Sequence, residues 1–130
     1  MPSNVVWIAP DVVAAIHEAQ IAEHGGALGV RDPSLLEAAL ARPRNMLLYA
    51  DADVATIGAY YALGIIKNHP FVDGNKRVGA VLLELFLSIN ARELVADDAE
   101  LLAAILAIAA SEISEEQFVD WVRRKTLIAA

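Results

Sequence analysis

Cysteine is absent from the 130 residues, and with it go disulfides, thiolate metal sites and cysteine nucleophiles. A membrane-crossing run is missing as well. The longest uncharged stretch is Val54 to Ile66, and the one that starts at Gly79 is broken by Glu84, whereas a span needs about 20 predominantly apolar residues. The opening segment, MPSNVVWIAPD, has no basic region followed by an apolar core and a small-residue cleavage site, so no signal peptide is expected and the chain is expected in the cytoplasm. Basic residues are outnumbered, with Lys plus Arg at 10 against Asp plus Glu at 17 and a net charge of −7. That balance argues against a broad nucleic-acid or anionic-membrane surface, so any anion site must be local. Sustained period-2 alternation, the mark of half-buried strands, is also lacking.

What remains is helical and apolar. Hydrophobic residues make up 57%, and a chain of this length can bury about two thirds of its unfolded surface as one domain, residues 1–130. A first helix is predicted over Asp11 to His24, with Pro10 near its start and Gly25-Gly26 at its end. Asp32 caps a second, Pro33 takes its first position, and Pro43 is expected to stop it. Residues 42–52, RPRNMLLYADA, then read as a loop or short β-hairpin, a flap that Arg42 and Arg44 could line for a target peptide. A third helix, Asp53 to Asn68, is almost free of charge on every side and is therefore a buried one. Gly58 and Gly64 within it each cost about 1 kcal/mol relative to alanine, which close helix packing would offset. Pro70 ends it at His69. A fourth helix runs from near Asn75 to Asn90, Asp97 or Asp98 caps a fifth, and Ser114 with Gln117 forms a capping box for a sixth. Arg123, Arg124 and Lys125 close that last helix, where cations complement the dipole. Trp7, Trp121, His17 and His24 read as packing or structural residues. The sum is an all-α compact bundle of about six helices, whose third and fourth members form the buried centre.

Polar chemistry concentrates in the turn between those two, NHPFVDGNKRVGA, residues 68–80. Gly74 lets the backbone turn sharply and lets a ligand approach it, and the free N–H groups of Asn75, Lys76 and Arg77 then begin a helix. Such an end is an anion cradle, to which Lys76 adds a point charge and Arg77 a bidentate fork, a pairing suited to neighbouring phosphates. Asp73 would be repelled by phosphate unless Mg²⁺, held by one or two carboxylates and phosphate oxygens, stood between them. His69 could take a proton from a hydroxyl nucleophile near neutral pH. Phe71 is the apolar anchor that plugs the loop into the core. Zinc is disfavoured, because His17 and His24 lie in another helix and no cysteine exists. Lys67 either adds charge here or is a solvated helix-end lysine.

HPFVDGNKR resembles the signature of the Fic/Doc family, specifically its Doc, or death-on-curing, branch. The Fic branch carries His-Pro-Phe-x-Asp/Glu-Gly-Asn-Gly-Arg with a second arginine three residues beyond the first. Here Lys76 occupies the second glycine's place, and Ala80 stands where the second arginine would be. IHEAQIAEHGGALGVRDPSLLEAALARPR resembles the N-terminal half of death-on-curing proteins, although Glu23 and His24 stand where some relatives carry a base. The resemblance implies a Fic/Doc-type fold with the motif loop between the two central helices, and a toxin of a type II toxin–antitoxin pair. It further implies a kinase that uses ATP and Mg²⁺ to phosphorylate a threonine of elongation factor Tu and so arrests translation. By matching position, His69 would be the general base, Asp73 the Mg²⁺ ligand, and Asn75, Lys76 and Arg77 the phosphate-binding residues, with Arg77 also catalytic and Gly74 shaping the loop. A cognate, Phd-like antitoxin would inhibit through its C-terminal segment. Lys76 crowding the phosphate position and the missing second arginine favour transfer of the γ-phosphoryl over transfer of AMP. The rival readings are a Fic-like protein adenylyltransferase and an inactive antitoxin-binding module.

Overall fold

Capping side chains and first-turn prolines set where the helices begin. A computed structural model describes residues 4–129. Pro10 opens α1 (Pro10–His24), and Gly25, at φ 83°, ends it. Asp32 accepts a hydrogen bond from the Leu35 N–H at 3.1 Å and Pro33 follows, starting α2 (Pro33–Ala50). Asp53 does the same for α3 (Val54–Asn68) by accepting from Thr56 N–H at 2.8 Å. The motif turn leads into α4 (Asn75–Ile89) and a short strand, β1 (Arg92–Leu94). Reciprocal capping boxes, Asp97 with Glu100 and Ser114 with Gln117, open α5 (Asp98–Ala109) and α6 (Glu115–Lys125), and the chain closes on β2 (Thr126–Ile128).

The described residues form the expected all-α bundle of six helices, with α3 packed between α2 and α4 and touched by α6. Nearly every α3 position from Ile57 to Ile66 is buried; α4 supplies Val78, Leu82, Leu83, Phe86 and Leu87 to the same core, and α6 supplies Phe118 and Val122. Trp7 packs on Phe86 and Trp121 on Phe118, as expected. One addition is the antiparallel pair β1–β2, in register Arg92↔Ile128, Glu93↔Leu127 and Leu94↔Thr126. Strands of three residues are too short for alternation to be readable in a sequence. The basic trio before β2 ends α6 as predicted, and each member meets a carboxylate: Arg123 on Asp53, Arg124 on Asp120 and Lys125 on Glu100.

The expected stop at Pro43 does not occur, and residues 42–50 are helical rather than a flap. Proline cannot donate to the carbonyl of Ala39, a loss that costs an isolated helix about 3 kcal/mol. Burial of Pro43 and of Ala39 against α3 offsets it. At the crossing Gly64 presents bare backbone, and an added Cβ there would lie 2.6 Å from Ala39 O. Arg42 and Arg44 are correspondingly committed elsewhere: Arg42 pairs with Glu115 and lies over the Tyr60 ring, and Arg44 lies 4.6 Å above the Trp7 ring.

Two stability predictions arise here. Gly64→Ala is expected to lower the unfolding free energy by about 2 kcal/mol, because overpacking outweighs the helix-propensity gain of about 1 kcal/mol. The obstructing atoms are backbone and cannot rotate away. Gly58→Ala is the contrast, since its added Cβ would meet only the side chains of Leu87 and Leu83, at 3.2 and 3.3 Å. Urea midpoints that fall equally in both variants would contradict this account.

Burial alone would raise the pKa of Asp53, but hydrogen bonds from Thr56 and the charge and hydrogen bond of Arg123 hold it below the usual carboxylate range. A folded-state pKa below the unfolded value of about 3.9 means that its stabilisation is present above that value and is lost as pH falls through the depressed one. The stability gap between wild type and Asp53→Asn, read from melting temperatures, should therefore close on acidification. A gap that is constant with pH would rule out the ionised cap.

Candidate active site

The turn between α3 and α4 is built from the inside outward. Phe71 is 1% exposed, and the Asn75 side chain closes a ring around its peptide groups: Oδ1 accepts from Phe71 N–H and Nδ2 donates to Phe71 O, both at 3.0 Å. Beneath it the His17 ring stacks on Phe71 at 3.9 Å between centroids and 11° between planes. His17 Nε2 lies 2.9 Å from Asp73 O. A carbonyl can only accept, so that nitrogen carries the proton. Gly74 turns at φ 84°, in the left-handed region where a Cβ is disfavoured. Phe71, expected as the apolar anchor of the loop, is buried in the core.

A strap between α1 and α2 runs along the outside of the turn. Val72 N–H donates to Gly29 O at 3.0 Å, the N–H groups of Arg31 and Asp32 both donate to Pro70 O, and Val30 faces Phe71 in an antiparallel bridge. Ala27 N–H donates to Asp73 Oδ2 at 2.7 Å, which fixes the orientation of that carboxylate. The non-helical strap that flanks the motif is therefore residues 27–32, bridged to it at Val30, and not the expected 42–52.

On this scaffold His69, Asp73, Lys76 and Arg77 are exposed together around the start of α4. The His69 imidazole and the Lys76 ammonium make no hydrogen bond among the described residues, and Arg77 is tethered only by a long contact of 3.4 Å to Gly25 O. The first bond of α4 runs from Val78 N–H to Gly74 O, so the N–H groups of Asn75, Lys76 and Arg77 point out of the helix end without partners among the described residues. Asn75, expected among the phosphate-binding residues, has its side chain spent inside the loop and leaves a ligand its backbone N–H. Lys67 is not part of the cluster; its ammonium donates to Ile108 O and Ser111 Oγ at the end of α5.

The chemistry of this set is anion binding beside a proton acceptor. No group of three or more potential metal-ligating side chains exists among the described residues, so an all-protein metal cage is not built here. A single oriented carboxylate beside a phosphate cradle is a donor set that fits Mg²⁺, which binds through one or two carboxylates together with substrate phosphates and water. A groove of about 910 Å³ between α2, α3 and α6 is lined by residues such as Met46, Tyr60 and Gln117 and contains none of the motif. Two residues of the site lie outside the motif and were not legible as part of it. His17 had one available signal, its place on the buried stripe Val13, His17, Ile21; Arg31 had none.

Residues 7–87 match the sequence model of a family described as the Fic/DOC family. Over 118 residues the chain is 33% identical to "Protein kinase doc" of Escherichia phage P1, covering 90% of this chain and 93% of that protein. It is 43% identical over 75 residues to "Toxin Doc" of Mycolicibacterium smegmatis, covering 56% of this chain and 58% of that protein.

Proposed function

Because the chain belongs to the Fic/DOC family, in its Doc branch, we propose that it is a Doc-type toxin acting as a protein kinase, which moves the γ-phosphoryl group of ATP to a hydroxyl of a protein target. The observation that carries this reading is the joint exposure of His69, Asp73, Lys76 and Arg77 at the start of α4, on a loop held from within by Asn75 on both Phe71 peptide groups and by His17 on Asp73 O. His69 accepts the proton of the attacking hydroxyl as its oxygen bonds to the γ-phosphorus and the bond to the bridging oxygen breaks, releasing ADP. Lys76, Arg77 and the α4 amides hold the phosphates and offset the charge that develops on them. Asp73 would hold Mg²⁺, which when bound neutralises phosphate charge. Ala27 orients the carboxylate for that task through its N–H bond.

Phosphoryl rather than adenylyl transfer is favoured by two positions on α4. Lys76 places a cation where the Fic signature has glycine. Ala80, where that signature has arginine, borders an apolar cavity of about 140 Å³ instead of filling it with charge. The proposed acceptor is a threonine of elongation factor Tu, with arrest of translation as the consequence. The proposed regulator is a Phd-like antitoxin whose C-terminal segment inhibits this one Fic/Doc-like domain, residues 1–130. The cytoplasm would be its place of action; among the described residues no helix is long and apolar enough to cross a membrane.

Intact-mass analysis of purified elongation factor Tu, incubated with this protein, ATP and Mg²⁺, tests the proposal. Addition of one phosphate is expected. An AMP-sized addition would assign the Fic-type reaction despite Lys76, and an unmodified target would remove elongation factor Tu as the substrate.

A further inference from the structure

His69 ends α3 in the left-handed conformation, at φ 52° and ψ 52°. That conformation is unfavourable for a residue with a Cβ, and the proline that follows restricts it further. A backbone of this kind persists only where its surroundings over-determine it. Here the His69 N–H is held by Ile65 O at 3.0 Å, and the carbonyl side is held by one residue from another element. Arg31 Nε donates to His69 O at 2.8 Å and its Nη2 donates to Asn68 O at 3.0 Å, while its own N–H binds Pro70 O. Three consecutive carbonyls, those of residues 68, 69 and 70, are thus gripped by Arg31.

We propose that Arg31 is a positioning residue for the general base: its guanidinium fork locks the left-handed backbone of His69, and so fixes the direction in which the imidazole leaves the chain. The two carbonyls it binds by its side chain are orphans of the α3 C-terminus, and a planar fork can meet both at once. The positive charge also complements the negative end of the helix. Arg31 belongs to the strap that orients Asp73 through Ala27, so both proposed catalytic side chains are aligned by residues 27–31. Arg31 is itself exposed, and the carbonyls it would release can turn to water, so its removal does not orphan a buried group.

This inference rests on the kinase reading, and the test separates the two. Arg31→Ala, compared with wild type in transfer from ATP to elongation factor Tu, is expected to lower kcat about 10- to 100-fold, the scale of a misplaced reacting group. KM for ATP and the melting temperature should stay close to wild type. In the same variant the backbone ¹³Cα and ¹⁵N resonances of His69 should leave their left-handed positions. An active wild type with an equally active Arg31→Ala would overturn the proposal, as would a raised KM with unchanged kcat, which would make Arg31 a nucleotide contact. A fully active Arg31→Lys would overturn it too, because charge alone would then suffice. Should wild type transfer nothing, the kinase reading fails and the resonances decide on Arg31 by themselves: unchanged His69 signals overturn its role, displaced ones uphold it.

Discussion

Phosphoryl transfer by His69→Ala is expected to be about 10²- to 10⁴-fold slower in kcat than by the wild type, the contribution typical of a positioned general base. The Doc-type motif supplies one histidine in reach of an incoming hydroxyl, and no second one stands with it: His17 is stacked beneath Phe71 with its Nε2 proton given to Asp73 O, and His24 contacts Glu23. The effect should fall on kcat alone. His69 is exposed and its imidazole bonds to nothing among the described residues, so truncation opens no cavity, and alanine keeps the Cβ and hence the same backbone requirement. KM for ATP should hold, because the phosphates are met by Lys76, Arg77 and backbone amides. Steady-state rates with a melting curve check this. Activity within about tenfold of wild type would mean that another group, or water, takes the proton.

Sequence made the outer surface of this site legible and left its foundations hidden. Asp32, Ser114 and the pair Asp97 or Asp98 announced helix starts because a cap is a local event, decided by a side chain and an N–H three residues on. Asp73, Lys76 and Arg77 were readable for a similar reason, since a helix N-terminus and its neighbours are set within one turn of chain. Pro43 misled because its cost is local but its compensation is tertiary: α2 continues through it only because Ala39 and Gly64 let two backbones meet. Arg31, and the bond that His17 makes to the loop, were hidden for the same cause in reverse. Each acts on the loop from 37 to 56 residues away in sequence, and nothing in the local spacing of either says which carbonyl it will find. The β1–β2 pair is likewise a long-range event, made through three residues on each side.

Asn75→Asp exchanges one nitrogen for one oxygen and is expected to cost about 3 kcal/mol at neutral pH, with loss of transfer activity although no exposed group of the site has changed. Asn75 is 3% exposed, and its Nδ2 is the donor to Phe71 O. The new oxygen would face that carbonyl as a second acceptor, leaving a buried C=O unpaired at about 1–3 kcal/mol. A buried carboxylate with no cation against it adds several kcal/mol more. The position at the first turn of α4 works the other way, but a helix dipole returns at most about 2 kcal/mol, so the penalty wins. Protonation resolves the conflict, because a neutral carboxyl can donate its O–H to Phe71 O. Burial and the facing carbonyl therefore raise the folded-state pKa of the introduced group above its unfolded value of about 3.9. The sign follows: stability is retained below the unfolded pKa and lost as pH rises through the raised one. Urea unfolding of wild type and variant at about pH 4.5 and about pH 8 should show a small difference at the first and the full deficit at the second. The loop carrying Asp73 and the α4 amides should loosen over the same interval, so activity and stability should fail together. A deficit equal at both pH values would mean that shape, rather than the amide's donated hydrogen bond, holds the Phe71 ring closed.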